Sequence, residues 1–358
     1  MNFHLSDEQR DLFEALRDFA VEQGDAGARR SAFDGETGFD RTFWEGLMAM
    51  GAAGIAAPEA YGGLGLGVFD LALASEAMGY AAAPGPFLGQ VMAIHAIATC
   101  GSDAQKHRWL PSMISGEVLA TVAFGEADGR QGPDQWQASL KAGVLSGEKR
   151  DLLYPELADL TVVGVVDGFA LVERAAPNQS ISPRRAADQT RRSAHVRYEA
   201  TPAEAMPADP NTTQRVFDTA LILLAADAFG GASKLLEMSA EYAKTREQFG
   251  GPIGRFQGLK HQLANLAVEV EPSRGLYWYA AYAYEQRIPD ASRTAALAKA
   301  HLGDVFMQTA RTAIEAHGGI GYTWEYDAQI WYKRALFDFA YLGVPSRHRE
   351  RASQLAGW

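Results

Sequence analysis

The chain has 358 residues, of which 47% are hydrophobic, and its 33 basic and 44 acidic residues give a net charge of −11. This length predicts two or three domains with sizeable cores. The acidic balance argues against nucleic acid as the main partner, because binding phosphates requires a basic surface. The lone Cys100 excludes an internal disulfide, and we predict no metal site. The N-terminus lacks an apolar leader, and the most apolar stretch, 220–232, is too short to span a bilayer. We therefore expect a soluble, cytoplasmic protein without membrane insertion.

The first region, residues 1–117, has a helical pattern. Ser6 with Gln9 three positions later predicts a capping box at the start of a first helix. Apolar residues then recur at helical spacing. A glycine-rich loop, 56–67, interrupts the helices. They are predicted to resume over 70–80, 90–99 and 105–114.

The second region, residues 118–210, has the pattern of a small β-domain. Asp167-Gly168 separates two runs rich in β-branched and aromatic residues, which is the strongest short-range signal for a hairpin. A further strand is predicted over 195–198.

From residue 211 onward the pattern is helical again. Four helical segments are predicted, over 213–246, 258–286, 291–317 and from 326 to the end. Pro272 should kink or divide the second of them. An apolar stripe on the first is typical of the core of a helical bundle.

Two glycine-punctuated stretches, 246–257 and 317–325, each follow one of these long helices. Glycine lets backbone approach a ligand closely, and the polar and cationic groups among them suit an anionic ligand. A glycine after a helix is more often a simple C-cap. Two such ends directed at one pyrophosphate, however, predict a site for a nucleotide cofactor.

Five motifs follow one another along the chain. They are Pro58-Glu59-x-Tyr61-Gly62-Gly63, Trp109-Leu110-Pro111, Asp188-x-Thr190-Arg191, Arg246-x-Gln248-Phe249-Gly250 and Gly318-Gly319-x-Gly321-Tyr322. In this order they resemble the acyl-CoA dehydrogenase family over nearly the whole chain. The resemblance implies an α+β fold with an N-terminal helical domain (1–117), a middle β-barrel domain (118–210) and a C-terminal four-helix bundle (211–358).

The resemblance also implies a reaction, in which FAD oxidises an acyl-CoA to its 2,3-enoyl-CoA within a homo- or hetero-oligomer of such subunits. A base removes the proton α to the thioester while hydride leaves the β-carbon for the flavin. An electron-transfer flavoprotein is the implied electron acceptor. In the family, the adenine and pyrophosphate half of FAD is held by the neighbouring subunit through the two glycine motifs. On this chain that role falls to Arg246, Gln248, Phe249, Gly318 and Gly319.

The position of the family's base is occupied by a leucine. The family's Tyr-Glu-Gly-Thr stretch corresponds to 341–344, so that Leu342 replaces the glutamate, although its backbone N–H can still donate to a thioester oxygen. The place that some members use instead falls on 220–221, which holds no carboxylate. Asp218 and Glu247 are therefore the candidate bases. Each also has a simpler interpretation, as a solvated acid and as a variable polar residue.

The segments expected beside the flavin ring depart from the family as well. The Thr-Glu-Pro…Gly-Ser-Asp segment becomes 124–130 without Gly-Ser-Asp, and Lys-x-Trp-Ile-Thr becomes 149–153 without its Trp and Thr. Two hypotheses stay open. One is a working FAD-dependent acyl-CoA dehydrogenase with an unusually placed base. The other is a non-catalytic companion subunit that contributes FAD-binding residues to an active partner, as the resemblance to the shorter subunits of bacterial heteromeric acyl-CoA dehydrogenases implies.

Overall fold

The computed structural model describes residues 4–126, 129 and 132–358. The N-terminal region is helical, as predicted. Within the described part its helices are α1 (Asp7–Gln23), α2 (Ala26–Asp34), α3 (Arg41–Ala49), α4 (Val68–Ala81), α5 (Phe87–Cys100) and α6 (Asp103–Ile114). The predicted capping box is confirmed: Gln9 N donates to Ser6 Oγ at 3.2 Å, and Ser6 N donates to Gln9 Oε1 at 3.1 Å. Helices α4 and α5 are buried along most of their length and lie against the other two regions.

The middle region forms two β-sheets. Its described strands are β1 (Ala120–Ala123), β2 (Gly125–Glu126), β3 (Ser139–Lys141), β4 (Val144–Leu153), β5 (Leu160–Val165), β6 (Gly168–Glu173), β7 (Gln179–Arg184), β8 (Ser193–Pro202) and β9 (Glu204–Ala205). The first sheet has the order β1-β5-β6-β9, and the second β2-β4-β8-β7 with β3 beside β4. The predicted hairpin is confirmed, since β5 and β6 are antiparallel with Val165 opposite Gly168.

Strand β5 is buried on both faces because the first sheet lies between the second sheet and the helices. Val163 and Val165 belong to the core between the two sheets, whereas Val162 belongs to the large core shared with the helices. This alternation follows from the two-residue period of a strand. The outer face of the first sheet is therefore set against α5 and α7.

The C-terminal region is helical, with α7 (Pro210–Thr245), α8 (Gln257–Glu285), α9 (Ala291–His317), α10 (Ala328–Ala340) and α11 (Pro345–Leu355). Of the two predicted effects of Pro272, a kink or a division, the division is wrong, because α8 continues through this residue. Proline removes only the hydrogen bond to the carbonyl of Val268, and Val268 lies at the surface of the protein. The last predicted segment is two helices, separated at 341–344.

Helix α7 is the only described helix long and apolar enough to cross a membrane, and 83% of its most apolar window is buried within the protein. It contacts α4, α8, α9 and α10, so it is the central helix of the bundle, which is what the apolar stripe predicts. The α+β architecture of helices, sheets and helices is confirmed.

Candidate functional site

The two glycine-rich segments start from neighbouring points of the bundle. The ring centroid of Tyr242, in the last turn of α7, lies 4.4 Å from that of His317, the last residue of α9. The ring of Tyr326 lies 4.5 Å from that of His317 and 5.7 Å from that of Tyr242. This aromatic cluster joins the ends of the two helices from which the segments emerge.

The first segment forms a tight hairpin directly after α7. Gln248 N donates to Gly251 O at 2.9 Å, and Gly251 N donates to Gln248 O at 3.3 Å. Ile253 N donates to Arg246 O at 2.8 Å. Arg246 and Gln248 are therefore fixed on a defined backbone rather than on an open loop.

The two central residues of the hairpin, Phe249 and Gly250, have φ values of +54° and +84°. This is the geometry of a two-residue hairpin turn, which glycine adopts readily and phenylalanine does not. The guanidinium of Arg255 donates to the carbonyl oxygens of both residues, and the ring of Phe256 meets that of Phe249 edge to face. These contacts hold the turn in its strained conformation.

The residues expected to hold the cofactor all lie at the surface. They are Arg246, Gln248, Phe249, Gly318 and Gly319, and the side chain of Phe249 is 85% exposed. Among the described residues the Arg246 guanidinium has no ion-pair or hydrogen-bond partner. A Cβ added to either glycine would meet no atom within 4 Å. Open backbone at the two glycines and an unpaired guanidinium at Arg246 are each suited to the phosphates of a dinucleotide that approaches from outside this chain.

Leu342 lies between α10 and α11, buried, with a φ of +55°. Its carbonyl oxygen lies 2.9 Å from Nε2 of His348. The Lys299 ammonium donates to the carbonyl oxygens of Asp338 at 2.5 Å and Gly343 at 3.4 Å. Burial, followed by Lys299 and Arg351, lowers the pKa of His348 to about 3, which keeps this imidazole neutral. Leu342, the residue expected at the base position, therefore lies in a turn that is held by hydrogen bonds, and its side chain is apolar.

A cavity of about 270 Å³ opens beside Leu342. Its walls include Phe217 of α7, the segment 132–135, and Arg347 and Arg351 of α11. The guanidinium of Arg351 lies over the ring of Phe217, 5.4 Å from its centroid. The polar wall of the cavity carries both signs of charge, since Asp134 and Glu350 line it together with the two arginines.

Asp218 lies behind Arg351 and is buried rather than solvated. Its Oδ1 accepts hydrogen bonds from Gln214 at 2.8 Å and Arg351 at 3.1 Å, and its Oδ2 accepts one from Ser292 at 2.5 Å. Burial raises the pKa of Asp218, and Arg351 opposes this shift. Both oxygens of the carboxylate are engaged by donors.

Glu247, the second candidate base, is exposed in the hairpin, where its backbone pairs with Pro252. It is not among the residues that line the cavity beside Leu342. The structure therefore does not bring Glu247 together with Asp218 or Leu342.

The segments expected beside a flavin ring are paired strands, with Glu126 of β2 opposite Lys149 of β4. Lys149 Nζ lies 2.6 Å from Glu126 Oε1, and both side chains are buried. Burial lowers the pKa of Lys149 to about 8, against the opposing effect of Glu126. Residues 127–128 and 130–131 of the same segment lie outside the described residues.

The motif Asp188-x-Thr190-Arg191 has a structural role that sequence reasoning missed. Arg191 pairs with Asp227 of α7 at 2.6 Å and with Asp338 of α10 at 2.9 Å. Arg334 adds a second pairing to Asp227 at 2.7 Å. Burial alone would raise the pKa of Asp227, but the guanidinium groups of Arg191 and Arg334 outweigh this effect and lower the pKa to about 2. This buried network ties the middle region to the bundle.

Comparisons with known proteins cover the chain from end to end. The family model of the acyl-CoA dehydrogenase N-terminal domain matches residues 6–117, and that of the C-terminal domain matches residues 211–354. The chain is similar to the acyl-CoA dehydrogenase IpdE2 of Mycolicibacterium smegmatis, with 31% identity over 348 residues, which are 97% of this chain and 98% of that protein.

Two solved structures are similar over the full length. One is a variant of the Tcur3481-Tcur3483 steroid ACAD, with a TM-score of 0.92 and 29% identity over 98% of each chain. The other is the ChsE4-ChsE5 complex from Mycobacterium tuberculosis, with a TM-score of 0.90 and 25% identity over 100% of this chain and 99% of that one.

Proposed function

Because this chain belongs to the acyl-CoA dehydrogenase family, we propose that it is a subunit of an FAD-dependent acyl-CoA dehydrogenase and the non-catalytic companion of an active homologous subunit. The assembly desaturates an acyl-CoA thioester between its α and β carbons. The observation that carries the proposal is the buried apolar side chain of Leu342, at the position to which the family resemblance assigns the base. A leucine side chain cannot accept the α-proton.

FAD supplies the hydride chemistry of such a reaction when it is bound. This chain holds the adenine and pyrophosphate half of an FAD whose flavin ring lies on the partner subunit. The planar guanidinium of Arg246 suits two oxygens of a phosphate, and bare backbone at Gly318 and Gly319 permits close approach. Gln248 and Phe249 contact the rest of the dinucleotide. The exposure of all five residues supports this assignment.

The partner is a homologous subunit that retains the base. The names of both similar structures join two proteins, Tcur3481 with Tcur3483 and ChsE4 with ChsE5, which supports a heteromeric assembly for this chain. The first of them is named as a steroid ACAD, and we propose a bulky acyl group, such as a steroid side-chain thioester, as the substrate here. An electron-transfer flavoprotein accepts the electrons.

A second candidate function keeps the base within this chain. Asp218 is buried next to the cavity beside Leu342, and burial raises the pKa of its carboxyl group. A carboxylate with a raised pKa is a better proton acceptor. In this case Arg351 would have to release one oxygen of Asp218, and the chain would be a working dehydrogenase.

The experiment that tests the proposal removes the base from the partner. This chain is co-expressed with a homologue that has the family's Tyr-Glu-Gly-Thr stretch, and the glutamate of that stretch is replaced by glutamine. Desaturation of acyl-CoA with an artificial electron acceptor should fall to background. Activity that survives the substitution, and disappears only on Asp218→Asn in this chain, would establish the second candidate instead.

A further inference from the structure

We propose that Trp136 closes this chain's own reaction compartment and so decides that the partner subunit, not this one, accepts the acyl-CoA. The compartment is the space between the end of β1 at Phe124, helix α7 at Phe217, and Leu342. In a working subunit, the thioester would meet the flavin ring there. The inference rests on the proposed function and deepens it, because it names the side chain that separates the two kinds of subunit.

Four aromatic rings fill the part of this space that lies next to the first sheet. The ring centroid of Trp136 lies 5.2 Å from that of Phe124 and 5.5 Å from that of Phe169. Phe124 in turn lies 5.7 Å from Phe169 and 6.4 Å from Phe217. All four side chains are at most 4% exposed, and rings at these separations leave no gap for a ligand.

The sheet is shaped to receive the tryptophan. A Cβ at Gly164 of β5 would lie 2.7 Å from three atoms of the Trp136 ring, closer than carbon atoms approach one another. Glycine at this position therefore lets the indole lie flat on the sheet face that is directed at α7. The cavity beside Leu342 is lined by Phe217 but not by Trp136, Phe124 or Phe169. It thus ends where the aromatic cluster begins.

The buried pair of Glu126 and Lys149 fixes the segment that carries the tryptophan. Glu126 Oε1 accepts hydrogen bonds from the backbone N–H of Gln137 at 2.8 Å and of Ala138 at 3.4 Å, directly after Trp136 in the chain. The same oxygen accepts one from Lys149 at 2.6 Å, and the ammonium lies 5.3 Å from the indole centroid. A buried ion pair is costly to form unless its geometry is well satisfied, and here it holds both the backbone and the ring.

The test measures binding of octanoyl-CoA to the chain purified alone, by isothermal titration, with free CoA as the reference. Wild-type protein should bind octanoyl-CoA no more tightly than CoA. Trp136→Ala opens the compartment and should bind octanoyl-CoA at least ten-fold more tightly than wild type does. The matched control is Trp44→Ala, which removes an equally buried indole from α3 and should leave binding unchanged.

Trp136→Leu keeps an apolar side chain but releases the volume of the indole, and it replaces Trp136→Ala if that variant does not fold. Wild-type protein that already binds octanoyl-CoA more tightly than CoA would overturn the inference, as would folded Trp136 variants that gain no binding. These outcomes are separate from a failure of the proposed function, which would instead appear as unchanged FAD affinity after Arg246→Ala in the complex with the partner.

Discussion

The hydroxyl oxygen of Tyr242 lies 3.5 Å from the backbone carbonyl oxygen of His317, and the centroids of the two rings are 4.4 Å apart, with their planes tilted by 30°. These residues are 75 positions apart, yet they bring the end of α7 next to the end of α9. The hairpin that carries Arg246 begins directly after α7, and the turn that carries Gly318 begins directly after α9. The contact therefore brings together the two segments that the proposed function assigns to a single pyrophosphate.

We predict that Tyr242→Ala weakens FAD binding in the complex with the partner by roughly ten-fold, because the two segments lose their common support. Tyr242→Phe keeps the aromatic ring and should bind FAD within about two-fold of wild type. Both affinities are measurable by flavin fluorescence during titration of the apo-complex. Equal affinities for all three proteins would show that the aromatic cluster does not position the site.

Arg246→Ala should weaken FAD binding by about 1.5–3 kcal/mol, the range expected for a hydrogen bond to a charged group. The same titration measures it. Arg41→Ala is the control, since Arg41 is an exposed arginine of α3 whose partner is Glu45. The assignment of Arg246 to a phosphate fails if both variants bind FAD as wild type does.

Asp218→Asn and Glu247→Gln should each retain the full kcat of the assembly, because in the proposed function the partner provides the base. Asp218→Asn should lower the free energy of unfolding by about 1–3 kcal/mol, since Arg351 loses a buried charged acceptor. Glu247→Gln should leave stability unchanged, because its side chain is exposed. A hundred-fold loss of kcat in folded Asp218→Asn protein contradicts this account.

Stability should fall as the pH is lowered from about 6.5 towards 4, by about 1.4 kcal/mol for each unit of depressed pKa. Burial, followed by Arg215, lowers the pKa of His95 to about 4. The unfolded chain therefore binds a proton at His95 in this pH range while the folded protein does not, so that acid favours unfolding. Urea denaturation at pH 7.5, 6 and 5 measures the slope, which His95→Gln should flatten. An unchanged slope in this variant would exclude His95 as its source.

Local signals in the sequence predict those elements whose signals lie within a few residues. The capping box at Ser6 and the hairpin at Asp167-Gly168 each depend on residues within a few positions, and both form as predicted. The motifs 246–250 and 318–322 carry the family resemblance, and the structure adds the cluster that brings them together.

The closed compartment was not predictable from the sequence. Trp136 lies in a segment without periodicity. Its position is set by contacts with Glu126 and Lys149, which meet only after β2 and β4 have paired. The same holds for Asp218: the burial of its carboxylate depends on Arg351, 133 positions later. Arg191 likewise meets Asp338 across 147 positions. Long-range ion pairs of this kind leave no local pattern.

In the proposed assembly, this chain contributes one half of an FAD site and has no reaction compartment of its own. The most direct measurement is the visible absorption spectrum and the FAD-to-chain ratio of the protein purified alone and after co-expression with a homologous partner. The account predicts almost no flavin in the protein alone and about one FAD for each pair of subunits in the complex. A ratio near one FAD per chain in the protein purified alone would contradict it.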